Sequence, residues 1–312
     1  LLARALEIGT ALIDRAPARL GIPALGPGRA AALLGLSLAL GLALAGRGPL
    51  PPRGRRAAAV LLSLALLAVL PLGRAAPAGR MTAVQFAVEQ GDCAALVFPD
   101  RSVVLIDTGP ALGAGLAVTR SAVPWLEREG VRRLAGVVLT HAHDDHTAGA
   151  SEVARRYRVD RWWLGGRTAA PPGLPAAARV ERPVAGDVLR EAGGWSLVCV
   201  HPPADAPEAG ENENDRSLAV VLRRGAAPAA LWTGDLERPG EGRLLAAGAL
   251  PPGLRLQFWK AGHHGSRTSG GPELLAGARP ALIVASCGVA NRHRHPSHGP
   301  FTVGADTVPL LR

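Results

Sequence analysis

The string Thr140-His141-Ala142-His143-Asp144-Asp145-His146, which closes the apolar run Gly136-Val137-Val138-Leu139, constrains this chain more than any other feature. A short apolar run bounded by polar residues reads as a buried strand, so the strand ends near Thr140 and passes into a turn and helix. His141 and His143, two apart, then project to one side, while Asp145 and His146 point from the turn at a neighbouring position. Two imidazoles on one metal, with a carboxylate and an imidazole on a second roughly 4 Å away, make the geometry of a two-metal hydrolase. A solvated polar turn is the bland alternative. It leaves unexplained why none of the nine histidines lies in the first 140 residues and why they crowd together afterwards; neutral imidazole is the commonest protein ligand for divalent metals.

Further donors stand at the ends of other apolar runs. Asp235 follows ALWTG, where a carboxylate beside the histidines would bridge two cations; the competing reading is a helix cap opening Asp-Leu-Glu. His201 ends SLVCV. His263 and His264 follow LQFWKAG, and one of them completes the second metal's shell. Adjacent side chains on a strand face opposite ways, so without the register the two are not separable. Ser266 lies next to these ligands rather than on a G-x-S-x-G elbow, so no Ser-His-Asp hydrolase is implied. His295 and His298, with Arg292 and Arg294, either contact a substrate phosphate or cap a loop. The expected cofactor is a pair of divalent ions, Zn or Mn, and the expected chemistry is hydrolysis by metal-activated water. Asp145 or Asp235 accepts the proton, and an imidazole such as that of His264 steadies the leaving alkoxide.

Around these motifs the chain alternates. From Met81 onward, β-rich runs (TAVQFAV, AALVF, SVVLIDTG, RWWLGG, SLAVVLRR, ALIVASCG) are interleaved with helical stretches at 116–129, 151–157 and 272–278, which predicts an α/β sandwich over 81–312. The segments RTAAPPGLPAAARV and HPPADAPEAGENEND read as surface loops. Cys93, Cys199 and Cys287 form no CxxC pair, which argues against a thiolate metal knot or a disulfide framework.

The first 80 residues are different. Residues 30–46 and 57–73 are apolar runs of 17 residues without a charge, flanked by Arg29, Arg47, Arg56 and Arg74, and they predict two short transmembrane helices in a membrane segment 1–80. Buried helices of a soluble core are the alternative. Of the formal charge of +10, residues 1–80 carry +8 and residues 81–312 only +2, so the basicity belongs with membrane anchoring rather than with duplex binding. The Arg-rich connection between the two runs predicts a cytoplasmic loop, with the hydrolase on the outer face of the inner membrane. Beginning at Leu1 rather than Met, the sequence reads as part of a longer chain, and a closing strand is expected to be lacking near Arg312.

SVVLIDTG with Asp107, HAHDDHTAG and LWTGDLE with Asp235 together resemble the metallo-β-lactamase superfamily, and His201 falls where its third motif does. ENENDRSLAVVL, LQFWKAGHHGSRTS and SCGVANRHRHPSH narrow the resemblance to the ComEC/Rec2 proteins of DNA uptake, over roughly residues 80–305. The resemblance implies an αββα sandwich behind membrane helices, a metal-dependent nuclease acting on single-stranded DNA in natural transformation, and other DNA-uptake proteins as partners. It assigns His141, His143, Asp145, His146, His201, Asp235 and His263 or His264 to the metals, Ser266 and His295 to substrate, and Asp107 to orienting the ligand loop. Two departures stand out: Glu89 replaces a glycine in AVEQGDC, and His143 occupies a position where the family often has Asp, giving the fuller metal-binding version. Hydrolysis of a small phosphodiester or lactone, and a non-catalytic DNA-guiding module, are the competing readings.

Overall fold

The computed structural model describes residues 79–113, 115–205, 212–251, 253–289 and 291–297, together with Gly35 and the pair Leu310–Leu311. Contacts divide the chain into two units, Leu1–Ala75 with Pro124–Gly130 and Ala76–Val123 with Val131–Arg312; the site lies in the second. Apart from Gly35, the two apolar runs fall outside the described residues. Among the described residues no helix is long and apolar enough to cross a membrane.

Two sheets form the centre. The first, of six strands, runs β1 (Thr82–Gln85), β2 (Ala94–Val97), β3 (Val103–Ile106), β4 (Gly136–Leu139), β5 (Arg161–Leu164) and β6 (Arg179–Glu181) in that order. The second, of seven, runs β7 (Val188–Ala192), β8 (Trp195–His201), β9 (Ala219–Arg224), β10 (Ala227–Trp232), β11 (Phe258–Lys260), β12 (Ile283–Val284) and β13 (Leu310–Leu311). Among the residues described from Gly79 onward the α-helices are α1 (Ala117–Arg120), α2 (Ala122–Arg128), α3 (Asp144–Thr147), α4 (Ala150–Arg156), α5 (Arg238–Ala246) and α6 (Pro272–Ala278).

Alternation along the strands builds the layers. Leu96, Val104, Ile106, Val138 and Trp163 of the first sheet meet Leu197, Cys199, Val220, Leu222 and Trp232 of the second in one cluster. The intervening residues of the second sheet, Val198, Val200, Val221 and Leu231, pack with Leu244 of α5 and with Leu274 and Leu275 of α6. On the first sheet, Val103, Leu105, Val137, Leu139, Trp162 and Leu164 are buried as well. β3, β4 and β5 are parallel neighbours, so the crossovers that join them carry α1 and α4 to that outer face, and Val118 of α1 and Val153 of α4 are buried. The result is the expected αββα sandwich.

This topology positions the site. The parallel strands β3, β4, β10 and β11 all deliver their C-terminal ends to one edge, where ligands of open α/β sheets gather. The sequence reading differs in four places. The helix expected over 116–129 breaks at Ser121 into α1 and α2. The end of RTAAPPGLPAAARV forms β6, an edge strand pairing with β5 whose outermost side chain, Val180, stays 43% exposed, which is why it reads as a loop. Leu310–Leu311 pairs in parallel with Ile283–Val284, where a closing strand was expected to be lacking. Finally, β11 stops at Lys260, and residues 262–265 form a tight turn rather than a continuing strand.

Candidate metal centre

β4 ends where Thr140 turns its hydrogen bonds away from the sheet. Its N–H donates to Asp107 Oδ1 at 2.8 Å and its hydroxyl to Asp107 Oδ2 at 2.9 Å. Asp107 sits just past β3 in a left-handed conformation (φ 59°), so one buried carboxylate sets the start of the histidine turn. His141 is fully buried, His143 stands exposed at the residue before α3 without a side-chain capping bond, and His146 is buried within that helix.

Asp235 is the hub. His146 Nε2 lies 3.2 Å from its Oδ1, and His264 Nε2 lies 3.4 Å and His141 Nε2 3.9 Å from its Oδ2. On one side of it, His141 Nε2 and His143 Nδ1 face each other at 3.0 Å; on the other, His264 Nε2 is 3.1 Å from Asp145 Oδ2. Asp235 does not cap a helix: its backbone N–H donates to Ser217 Oγ, and α5 starts three residues later behind Glu237.

The rings are held from behind. Nδ1 of His146 donates to Asp107 Oδ2 (2.8 Å), that of His201 to Ser217 O (2.9 Å), and that of His264 to Ser286 O (3.0 Å). A carbonyl or carboxylate oxygen only accepts, so Nδ1 carries the hydrogen in each case and Nε2 is left as the inward donor atom. His146 Nε2, His201 Nε2 and Asp235 Oδ1 are all buried without a hydrogen-bond partner. Buried polar atoms are rarely left so. Ligand atoms sharing one tetrahedral cation at bonds of ~2.1 Å stand roughly 3.4 Å apart, which matches the 3.0–3.4 Å separations found here. The donor set therefore fits divalent metal.

The titration behaviour agrees. Burial alone would lower His264, but the carboxylates of Asp235 and Asp145 outweigh it and push its pKa up to about 9; His146 is raised likewise by Asp235 and Asp107 against burial. Burial would raise Asp235, yet His264 and His146 hold it well below the usual carboxylate range. Burial pulls His201 down to about 4 and His141 well below its ordinary value, keeping both neutral. Without cations, imidazolium takes the place of the positive charge that the carboxylates require.

The model of the metallo-beta-lactamase superfamily matches residues 88–276. The chain belongs to the metallo-β-lactamase superfamily. Among curated proteins it is 29% identical over 229 residues to ComE operon protein 3 of Bacillus subtilis (strain 168), covering 67% of this chain and 28% of that one. It is 33% identical over 213 residues to Competence protein ComA of Neisseria gonorrhoeae, again covering 67% and 28%. Recombination protein 2 of Haemophilus influenzae is 27% identical over 206 residues, covering 66% and 24%. The ComEC/Rec2 resemblance thus extends over two thirds of the chain, which itself spans about a quarter of the length of these relatives.

Within this metallo-β-lactamase site the remaining sequence-predicted residues separate. His263 and His264 both adopt left-handed backbone (φ 45° and 54°), so their rings approach Asp235 together instead of facing opposite ways. They differ in depth: His264 is buried beside Asp235 and Asp145, whereas His263 keeps a quarter of its side chain exposed, with Nδ1 3.1 Å from Glu237 and Nε2 3.9 Å from Asp235. The His295 ring lies 5.7 Å from that of His263, half-buried at the mouth, and burial with the neighbouring His263 and His264 lowers its pKa to about 4. Ser266 is turned into its own loop, its hydroxyl 3.0 Å from that of Thr268. His298 lies outside the described residues.

Three further residues, absent from the sequence-based expectation, stand beside these. Glu213 accepts from the backbone N–H of Ala142, between His141 and His143, at 3.0 Å and from that of Arg167 at 2.8 Å. Asp92 lies within 4.8 Å of donor atoms of His146, Asp235 and His264 and is ion-paired with the buried Lys260. Glu213 and Asp92 lie within ENEND and QGDC, where nothing in the spacing sets them apart from solvated acids. The third was signalled by composition: of the 35 cationic residues only this one is lysine.

Proposed function

We propose that the chain is the hydrolase part of a membrane-tethered DNA-uptake protein and cleaves phosphodiesters of single-stranded DNA. The observation that carries this is the convergence of His141, His146 and His264 on the single carboxylate of Asp235. His141 and His143, with His201, would hold one divalent cation; Asp145, His146 and His264 would hold the other, with Asp235 between them. When bound, the cations would activate water and stabilise charge at the attacked phosphorus. Asp145, the least buried carboxylate of the set at 32% side-chain exposure, meets solvent and can take the proton from attacking water. His263 and His295 line the mouth, where a substrate phosphate would rest. The competence relatives support a role in DNA uptake; the Arg-flanked apolar runs 30–46 and 57–73 would be the membrane spans, and the Arg-rich connection between them would leave the hydrolase on the outer face. A reporter fused after Arg80 that is active only in the cytoplasm would reverse that orientation.

The net charge of only +2 over residues 81–312 favours, as a second reading, a small phosphodiester or lactone. The deciding experiment supplies Mn²⁺ or Zn²⁺ and compares a labelled single strand with bis-p-nitrophenyl phosphate and a lactone. Strand cleavage lost in His141→Ala/His143→Ala supports the proposal. Turnover of small esters alone supports the second reading, and DNA binding with no metal-dependent turnover supports a guiding module.

A further inference from the structure

Directly behind the site lies a charge pair buried between the two sheets. Lys260 is the last residue of β11, its side chain 2% exposed, and its ammonium is paired with the Asp92 carboxylate, itself 7% exposed. The pair joins the two sheets: Asp92 stands just before β2 of the first, and Lys260 belongs to the second. Every other basic residue of this chain is arginine or histidine. An ammonium is a compact point charge on a slender stem, whereas a guanidinium is a wide planar fork. The adjoining void, lined by Asp92, Lys260, Asp107 and Thr140, is about 10 Å³, at the lower limit for a single water.

Asp92 touches both halves of the ligand set. Its backbone N–H donates to the carbonyl of Asp145 at 3.1 Å, and its own carbonyl accepts from Gly109 N–H at 2.8 Å. Its carboxylate lies behind two ligand rings, Oδ2 3.9 Å from His146 Nδ1 and Oδ1 3.7 Å from His264 Nδ1. Next door, Ser286 donates its hydroxyl to Gly91 O and offers its carbonyl to His264 Nδ1. Asp145 and His146 come from the first sheet and His264 from the second, so nothing local to either sheet fixes their separation.

We infer that the Lys260–Asp92 pair is a positioning device that holds the Asp145/His146 half of the second cation site at the correct distance from the His264 half. Asp92 lies close enough to share a cation, within 4.8 Å of donor atoms of His146, Asp235 and His264, but we assign it to positioning because its oxygens face the Nδ1 atoms of His146 and His264 at 3.9 and 3.7 Å and one of them is taken by Lys260. The inference rests on the two-cation reading of the site but not on any substrate.

The test is metal content and affinity of the purified protein, by elemental analysis and by titration with Co²⁺ followed through its visible absorption. The parent binding two cations is the precondition, and a parent binding none defeats the proposed function rather than this inference alone. With a two-cation parent, Lys260→Met and Asp92→Asn are expected to bind the first cation as the parent does and the second 10–100-fold more weakly, with an altered Co²⁺ spectrum. Asp92→Asn/Lys260→Met carries no buried net charge and decides the matter if a single variant does not fold. It is expected to regain thermal stability while its second cation stays at least tenfold weaker. A folded variant that keeps both cations at parental affinity and spectrum, whether or not its melting temperature falls, overturns the inference.

Discussion

The carboxylate of Asp107 stands 2.8 Å from Nδ1 of His146 while its other oxygen accepts the N–H of Thr140, also at 2.8 Å. One side chain thus sets both the point where β4 ends and the tautomer of His146, six residues past Thr140. Asp107→Asn keeps the shape but offers one acceptor oxygen where two are used. Metal affinity is expected to fall 10–100-fold, read by titration of the chelated protein with Zn²⁺. Asp107→Ala is expected to cost a further 1–3 kcal/mol or so of stability, because the buried donors of Thr140 and His146 lose their partner.

His264 and His263 are expected to behave oppositely on truncation. His264 is buried with Nε2 3.1 Å from Asp145 and 3.4 Å from Asp235, so on the proposed assignment His264→Ala is expected to leave about one cation per chain. His263 faces Glu237 and Thr268 and is partly open to solvent, so His263→Ala keeps two. Elemental analysis of both variants at equal free metal separates them, and loss of a cation from His263→Ala alone would reverse the assignment.

Much of this was legible before the fold. A histidine string after an apolar strand needs only the period of a strand to be read, and Asp235 and His201 likewise follow runs of buried Val, Leu and Trp. What stayed hidden depends on contacts distant in sequence. The choice between His263 and His264 turns on two consecutive left-handed residues, a conformation that non-glycine residues seldom adopt and that no periodicity announces. Glu213 reaches the turn of His141 and His143 from 71 positions away, and Asp92 reaches Lys260 from 168; each looks in the sequence like an ordinary solvated acid. β6 is hidden in the sequence because an edge strand with an exposed Val180 lacks the apolar signal of the strands beside it.

The metal-free protein is expected to be most stable near pH 6.5. The folded-state pKa of His264 is raised to about 9 from 6.5, so its contribution is complete below pH 6.5 and disappears as pH rises through 9. That of His201 is lowered to about 4, so its contribution is complete above pH 6.5 and disappears as pH falls towards 4. Each limb is worth on the order of 3 kcal/mol. Melting temperatures in a chelator across pH 4–10 check this, and a flat profile from 6.5 to 9 would count against the protonated His264. Restoring metal should flatten that alkaline limb, because a cation replaces the proton at Nε2.

Gly91 offers the last test, because it separates backbone strain from displacement of a ligand. It has φ +150°, and a Cβ there would lie 2.3 Å from the carbonyl oxygen of Asp145 and 2.7 Å from Cδ of Pro110. The nearer obstacle is backbone, so no side-chain rotation relieves it, and the backbone of Asp145 itself must shift. Gly91→Ala is expected to cost about 3 kcal/mol, from overpacking and an unfavourable conformation together. It should also weaken the second cation along with the stability. Gly186 is the control: its φ is +104°, with nothing within 4 Å of an added Cβ, so Gly186→Ala brings strain without a clash. If both variants lose stability but only Gly91→Ala loses metal, the loop before Asp92 is seen to act on the ligand; equal metal content in the two would show that it does not.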